Sequence, residues 1–150
     1  MGGGALMDIN QYNVHFAVGI WGTPKDVCYY PNLSNGIDTS GVLVLRYPNF
    51  VCSCIGAKDS HGLSHVTIHG EKGSIHMESA PNECGCYEIK IANNIKMVNL
   101  QQENRLYYEL CAFSDMYDRR DYDSMHLLLE HSKQVVGVLE KARKFARMSF

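Results

Sequence analysis

Asp8, Tyr12 and His15 stand at spacings of four and three. On a helix such positions share one stripe. A carboxylate and a phenol one turn apart can address the same small molecule: the carboxylate accepts hydrogen bonds from hydroxyl groups, and the phenol gives or takes a proton. A tyrosine with the reference pKa of about 10 is a poor base, and a nearby cation improves it by favouring the phenolate. Gly2, Gly3 and Gly4 precede the stripe and let another backbone or a ligand approach closely. The same spacing also fits an ordinary core helix with a solvated polar stripe. Its apolar face is predicted to be Leu6, Ile9, Asn13, Phe16 and Ile20.

Other side chains with reactive chemistry are scattered. Six cysteines include the pairs Cys52–Cys54 and Cys84–Cys86, with Cys28 and Cys111 apart. Structural zinc sites usually space cysteines by two to four residues. Each pair here lies in a strand-like run, so its thiols are expected on one side of a sheet, reduced and without metal. His65, Thr67 and His69 alternate with Val66 and Ile68, which reads as a polar sheet face or a contact patch for substrate or subunit. Arg105 and Glu109 are expected to pair along a helix. Gly70-Glu71-Lys72-Gly73 joins two strand-like runs and is a turn rather than a phosphate cradle.

The elements that must position the stripe follow in order. A first helix is predicted from about Gly4 to Ile20, stopped by Trp21-Gly22-Thr23-Pro24. Val27 to Tyr30 reads as a strand, and Pro31 to Gly36 as a turn. Thr39 to Tyr47 and Phe50 to Ala57 form a hairpin about Pro48-Asn49. His65 to His69 and Ser74 to Glu78 form a second, and Tyr87 to Ala92 and Ile95 to Leu100 a third about Asn93-Asn94. Asn104 is the candidate N-cap of a helix from Arg105 whose buried face is Leu106, Leu110, Phe113 and Tyr117. A last helix carries Leu128, Val135, Val138, Leu139, Ala142 and Phe145 at helical spacing. Helix, antiparallel strands and two helices make an α+β chain: a large, mainly antiparallel open sheet with helices packed on one face.

With 150 residues, this is one domain with room for one core. A net charge of −2 gives no reason to expect nucleic acid. The cluster Lys141, Arg143, Lys144 and Arg147 closes the last helix, where cations complement the helix dipole. No apolar run is long enough for a membrane span, and with no charged stretch leading into an apolar one, no secretory signal is expected. The expectation is a cytoplasmic protein with reduced thiols.

Gly-Gly-Gly-Ala-Leu-x-Asp-Ile-x-x-Tyr, from Gly2 to Tyr12, followed by Trp21-Gly22-x-Pro24, resembles the start of the C-terminal domain of the glucose–fructose oxidoreductase / inositol dehydrogenase (Gfo/Idh/MocA) family. Gly70-Glu71-Lys72-Gly73-Ser74-Ile75 and Asn104-Arg105-Leu106-x-x-Glu109-Leu110-x-x-Phe113 extend the resemblance over the whole chain. The tyrosine form, with the segment from Arg143 to Phe150, is most similar to the dihydrodiol and xylose dehydrogenase branch. Asn10 stands where many members carry glycine. The resemblance implies that Asp8 binds substrate and that Tyr12 is the proton donor or acceptor. His15 continues the stripe and, by its spacing, either reaches substrate or is a packed or solvated histidine. It implies NAD or NADP as the cofactor of a complete enzyme, and a sugar, polyol or diol as substrate. Hydride goes to the nicotinamide while the protein orients the substrate and handles its proton.

Half of that machinery is not expected in this chain. No strand-turn-helix carries G-x-G-x-x-G. In the family the helpful cation is a lysine of the N-terminal, nucleotide-binding domain. The reading is therefore of a C-terminal substrate-binding and dimerisation domain, a cloned or truncated piece that binds no cofactor alone. The alternative is a non-catalytic assembly domain from a member that has lost activity. Assembly is expected in either case. Val42 and Val44 point to one face of their strand and Leu43, Leu45 and Tyr47 to the other, so both faces are apolar. The open one is predicted to meet a second copy, as a homodimer or larger homo-oligomer. The resemblance implies the same pairing.

Overall fold

The computed structural model describes residues 4–100 and 104–148. The chain divides into two compact units, Met1–His61 with His126–Phe150, and Gly62–Met125. The length predicts one shared core. The buried hydrophobic side chains lie in the first unit, with Met77 the exception among the described residues.

The first unit opens with a π-helical turn over Leu6–Asn10, which runs into α1, Gln11–Trp21. Strands β1 (Asp26–Ser34), β2 (Ile37–Arg46) and β3 (Val51–Ala57) follow as an antiparallel sheet in that order. Asn35 and Gly36 close the first hairpin with φ of 51° and 79°. Asn-Gly is the pair such a left-handed turn favours. Pro31, placed in a turn by sequence, lies inside β1 opposite Gly41. β1 is an edge strand, where a residue without N–H is tolerated.

One face of this sheet carries the core. Val27, Tyr29, Leu43, Leu45 and Cys54 pack with Val14, Ala17 and Val18 of α1 and with Val135, Val138, Leu139 and Ala142 of α3, Tyr122–Phe145. Full burial of one such aliphatic side chain contributes about 1.5–3 kcal/mol, which holds both helices on this face. Leu43, Leu45 and Tyr47 share one face, as the alternation predicts, and it is the inward one. On the opposite face Tyr30 is 59%, Ile55 70% and Val51 62% exposed.

Two predicted helix faces shift. The buried positions of the first helical segment are Leu6, Asn10, Val14, Ala17 and Val18, while Ile20 is exposed. Leu6, Asn10 and Val14 step by four, and the π turn lies across the first two. A π turn holds more residues than an α turn, so a count at α-helical spacing from Leu6 drifts off the buried side. In α3 the inner four residues are buried as expected, but Leu128 and Phe145 are exposed.

The second unit is a meander of β4 (Val66–Gly70), β5 (Gly73–Met77), β6 (Cys86–Ile91) and β7 (Asn94–Asn99), followed by α2, Tyr107–Arg119. The β6–β7 turn falls at Ala92-Asn93, one residue earlier than predicted, because Ile91 pairs with Asn94. The Asn104 side chain accepts the Leu106 N–H at 2.9 Å just ahead of α2. Leu106, Leu110, Phe113 and Tyr117 are not a buried face: all four are exposed, and α2 buries no residue. Their helical spacing is real, but nothing in this unit covers it. All strand pairing is antiparallel, so the class is α+β as expected. The strands form one sheet of three and one of four.

Candidate functional site

The Asp8–Tyr12–His15 stripe starts from an anchored backbone. Asp38, on β2, is 1% exposed. Its Oδ2 accepts the Leu6 N–H at 2.6 Å and the Tyr29 hydroxyl at 2.7 Å. An early helical N–H has no partner within its own helix, and this carboxylate supplies one. Gly4 packs so closely on the same carboxylate that a Cβ there would overlap it. Here a glycine of the opening run admits a side chain of the protein itself. Gly2 and Gly3 lie outside the described residues. Burial, reinforced by the hydrogen bond to Asp38, pushes the Tyr29 phenol far above its ordinary value.

Asn10 is the second anchor. It is fully buried, and its Oδ1 accepts from Asn13 Nδ2 at 2.9 Å. Asn13 Nδ2 also reaches the Ile55 carbonyl on β3 at 3.2 Å. A Cβ at Gly56 would come within 2.8 Å of the Asn10 amide. Asn10 therefore fits because β3 supplies a bare position opposite it.

With Leu6 and Asn10 turned inward, Asp8, Tyr12 and His15 are all exposed. Asp8 Oδ2 meets Lys58 Nζ at 2.6 Å. Lys58 follows β3 directly, and its N–H bonds the Thr39 carbonyl at 2.8 Å, which fixes where the side chain starts. Tyr12 is 44% exposed. His15 Nδ1 lies 3.1 Å from His131 Nε2 of α3. Burial, and then the neighbouring His131, push the His15 imidazole below its ordinary value. Chemically, the stripe offers a carboxylate held by an ammonium, an exposed phenol and a paired imidazole on one solvent-facing side.

The other candidates sort differently. Cys52 and Cys54 do lie on one side of β3, with sulfurs 3.8 Å apart. Cys84 sits outside β6 with φ of 29°, so that pair is not a strand pair. Among the described residues no three potential metal ligands of the His, Cys, Asp or Glu types cluster, and no helix is long and apolar enough to cross a membrane. Thr67 bonds His76 across the β4–β5 ladder at 2.9 Å, on the exposed polar face expected there. Arg105 forms no ion pair with Glu109 among the described residues. It lines a cavity of about 540 Å³ with His76, Glu78 and Tyr108.

Asp38, Lys58 and His131 escape a reading by spacing. Asp38 falls just ahead of the strand read from Thr39 and left no signal. Lys58 and His131 left none, because each meets its partner only through the fold.

No family model matches the chain. It is 28% identical over 145 residues to the scyllo-inositol 2-dehydrogenase (NADP(+)) of Bacillus subtilis, covering 94% of this chain and 44% of that protein. It is 30% identical over 144 residues to the uncharacterized oxidoreductase YgjR of Escherichia coli, covering 94% and 43%. The chain thus spans less than half the length of the curated relatives it matches. Among solved structures, an aldose-aldose oxidoreductase from Caulobacter crescentus, complexed with glycerol, superposes with a TM-score of 0.74 at 18% identity, over 97% of this chain and 46% of that one. A 3-ketoreductase from Actinomadura kijaniata, in complex with TDP-benzene and NADP, does so at 0.73 and 15%, over 95% and 47%. At these identities the structures speak for the fold. The relatives and neighbours are Gfo/Idh/MocA oxidoreductases, and this chain is similar to their C-terminal part.

Proposed function

We propose that this chain is the substrate-binding and assembly half of an NAD(P)-dependent oxidoreductase acting on the CH–OH group of a sugar, inositol or diol. The observation that carries the proposal is the exposed stripe of Asp8, Tyr12 and His15, held at its base by Asp38 and Asn10. The similarity over 94% of the chain to part of an inositol dehydrogenase supports it. In this reading Asp8, steadied by Lys58, accepts hydrogen bonds from substrate hydroxyls. Tyr12 takes the hydroxyl proton on oxidation and returns it on reduction. His15 contacts substrate from one turn further on. The nicotinamide accepts the hydride when a nucleotide-binding half holds it, and this chain alone binds neither NAD nor NADP. The resemblance to the dihydrodiol and xylose branch keeps diols among the substrates to try.

The test is Tyr12→Phe in an enzyme that joins this chain to a nucleotide-binding half. A fall in kcat of about 10²–10⁴, the range for a lost general acid–base group, is expected. Unchanged turnover rejects the assignment.

The assembly reading has its own support. The outer face of β1–β3 exposes Tyr30, Val51 and Ile55, an apolar set that a monomer rarely leaves to water. A homodimer through that face covers it. If Tyr12→Phe has no effect while the dimer forms, the non-catalytic alternative stands.

A further inference from the structure

We propose that His15 and His131 form a bidentate site for a divalent late transition-metal ion that bridges α1 and α3. The two side chains are 116 residues apart in sequence, yet Nδ1 of one and Nε2 of the other approach to 3.1 Å. Their rings are tilted by 55° with centroids 5.1 Å apart, so the nitrogens, not the ring faces, make the contact. Metal–imidazole bonds of about 2.0–2.1 Å put two ligand nitrogens about 3.0 Å apart at a right angle and about 3.4 Å apart at a tetrahedral angle. The observed separation falls between these, so the two nitrogens are spaced to share one ion, the hydrogen of their contact moving to the far nitrogen of its ring.

Imidazole nitrogen suits zinc, nickel and copper. Imidazole ligates through a ring nitrogen that carries no proton. His15 is exposed and His131 half-buried, so water can complete the coordination shell. Both rings are carried by helices that already pack on one core through Val14, Val18, Val135 and Val138. The bite is thus set before the ion arrives, which cuts the ordering cost of binding. The site lies one turn beyond Tyr12 and stands whether or not Tyr12 is catalytic.

Nickel chloride is the probe, because nickel favours imidazole over the thiols of the six cysteines more than zinc does. Calorimetric titration of the chain should give saturable one-to-one binding. His15→Gln and His131→Gln should each weaken it at least about tenfold, since a bridge needs both rings. A bound ion should also raise the Tm of the wild-type chain and not that of either variant. Affinity retained in either variant overturns the proposal. Should a variant not fold, the histidine ring resonances of the wild-type chain decide the matter. Substoichiometric paramagnetic nickel should broaden those of His15 and His131 together. Broadening that begins at His61, His65, His69, His76 or His126 rejects the bridge.

Discussion

The Asp38 carboxylate takes the backbone N–H of Leu6 at 2.6 Å from a strand thirty-two residues further along the chain. The Tyr29 hydroxyl shares the same oxygen. Asp38→Ala should therefore leave a buried N–H and a buried hydroxyl without their acceptor, at about 1–3 kcal/mol each. The expected loss is about 2–5 kcal/mol, read as a lower urea midpoint. A change under about 0.5 kcal/mol would mean that water or another group replaces the carboxylate freely.

Lys58 and Asp8 should behave in the opposite way. Both side chains are partly solvated, at 38% and 53%, and exposed ion pairs contribute only about 0.2–1 kcal/mol. Lys58→Met should shift stability by less than about 1 kcal/mol. In an enzyme that carries a nucleotide-binding half, it should raise KM for a polyol more than it lowers kcat. A large loss of stability would show that the pair is structural.

Tyr47 provides a test at alkaline pH. Burial, then the neighbouring Cys52 and Cys54, push its phenol up to about 12. The unfolded value is about 10. A group whose folded pKa is raised holds its contribution below the unfolded pKa and loses it as pH rises through the folded one. Stability should be flat up to about pH 10 and fall toward about pH 12. Tyr47→Phe should lessen that fall, to which the buried Tyr29 phenol still contributes, while losing the 2.9 Å bond to the Gly22 carbonyl. Ultraviolet titration and unfolding at fixed pH check both.

Light scattering tests the assembly. One chain is 16.9 kDa, and dilute protein should scatter as about twice that. Ile55→Lys, on the outer sheet face at 70% exposure, should return it to a single chain that still unfolds cooperatively, because Ile55 is not part of the inner core, with Tm lower only by what association contributes. A single-chain mass in the unaltered protein rejects the dimer.

How far the sequence could be read depended on whether a feature is local. Leu43 and Leu45 alternate with Val42 and Val44, and the strand and the sharing of its two faces follow from that period, but which apolar face is buried does not. Trp21-Gly22 ended α1 as expected, with Gly22 at φ of 74°. Leu106, Leu110, Phe113 and Tyr117 show the limit. Periodicity says which residues share a helix face, not whether anything covers it. The site behaved likewise. The Asp8–Tyr12–His15 stripe is legible because it is one run of chain. Lys58, Asp38 and His131 are not, since each pairing joins positions that the topology alone brings together. Asn10 sits between these cases: its identity was visible, but its fit depends on Gly56, forty-six residues away.

The π turn at Leu6–Asn10 has a consequence for how this segment tolerates change. An α-helix rotates by about 100° per residue, and a π turn amounts to one residue inserted into that rotation. Removing a single residue there would restore a regular helix from Leu6 onward. It would also swing everything before the cut by about a quarter turn relative to α1. Leu6 would leave the Asp38 carboxylate, and Asp8 would turn away from Lys58, although no side chain chemistry had been altered. Point replacements along the exposed stripe should be absorbed, whereas a one-codon deletion should not. The segment behaves as a ruler whose length, more than its lettering, keeps Asp8 and Tyr12 in phase.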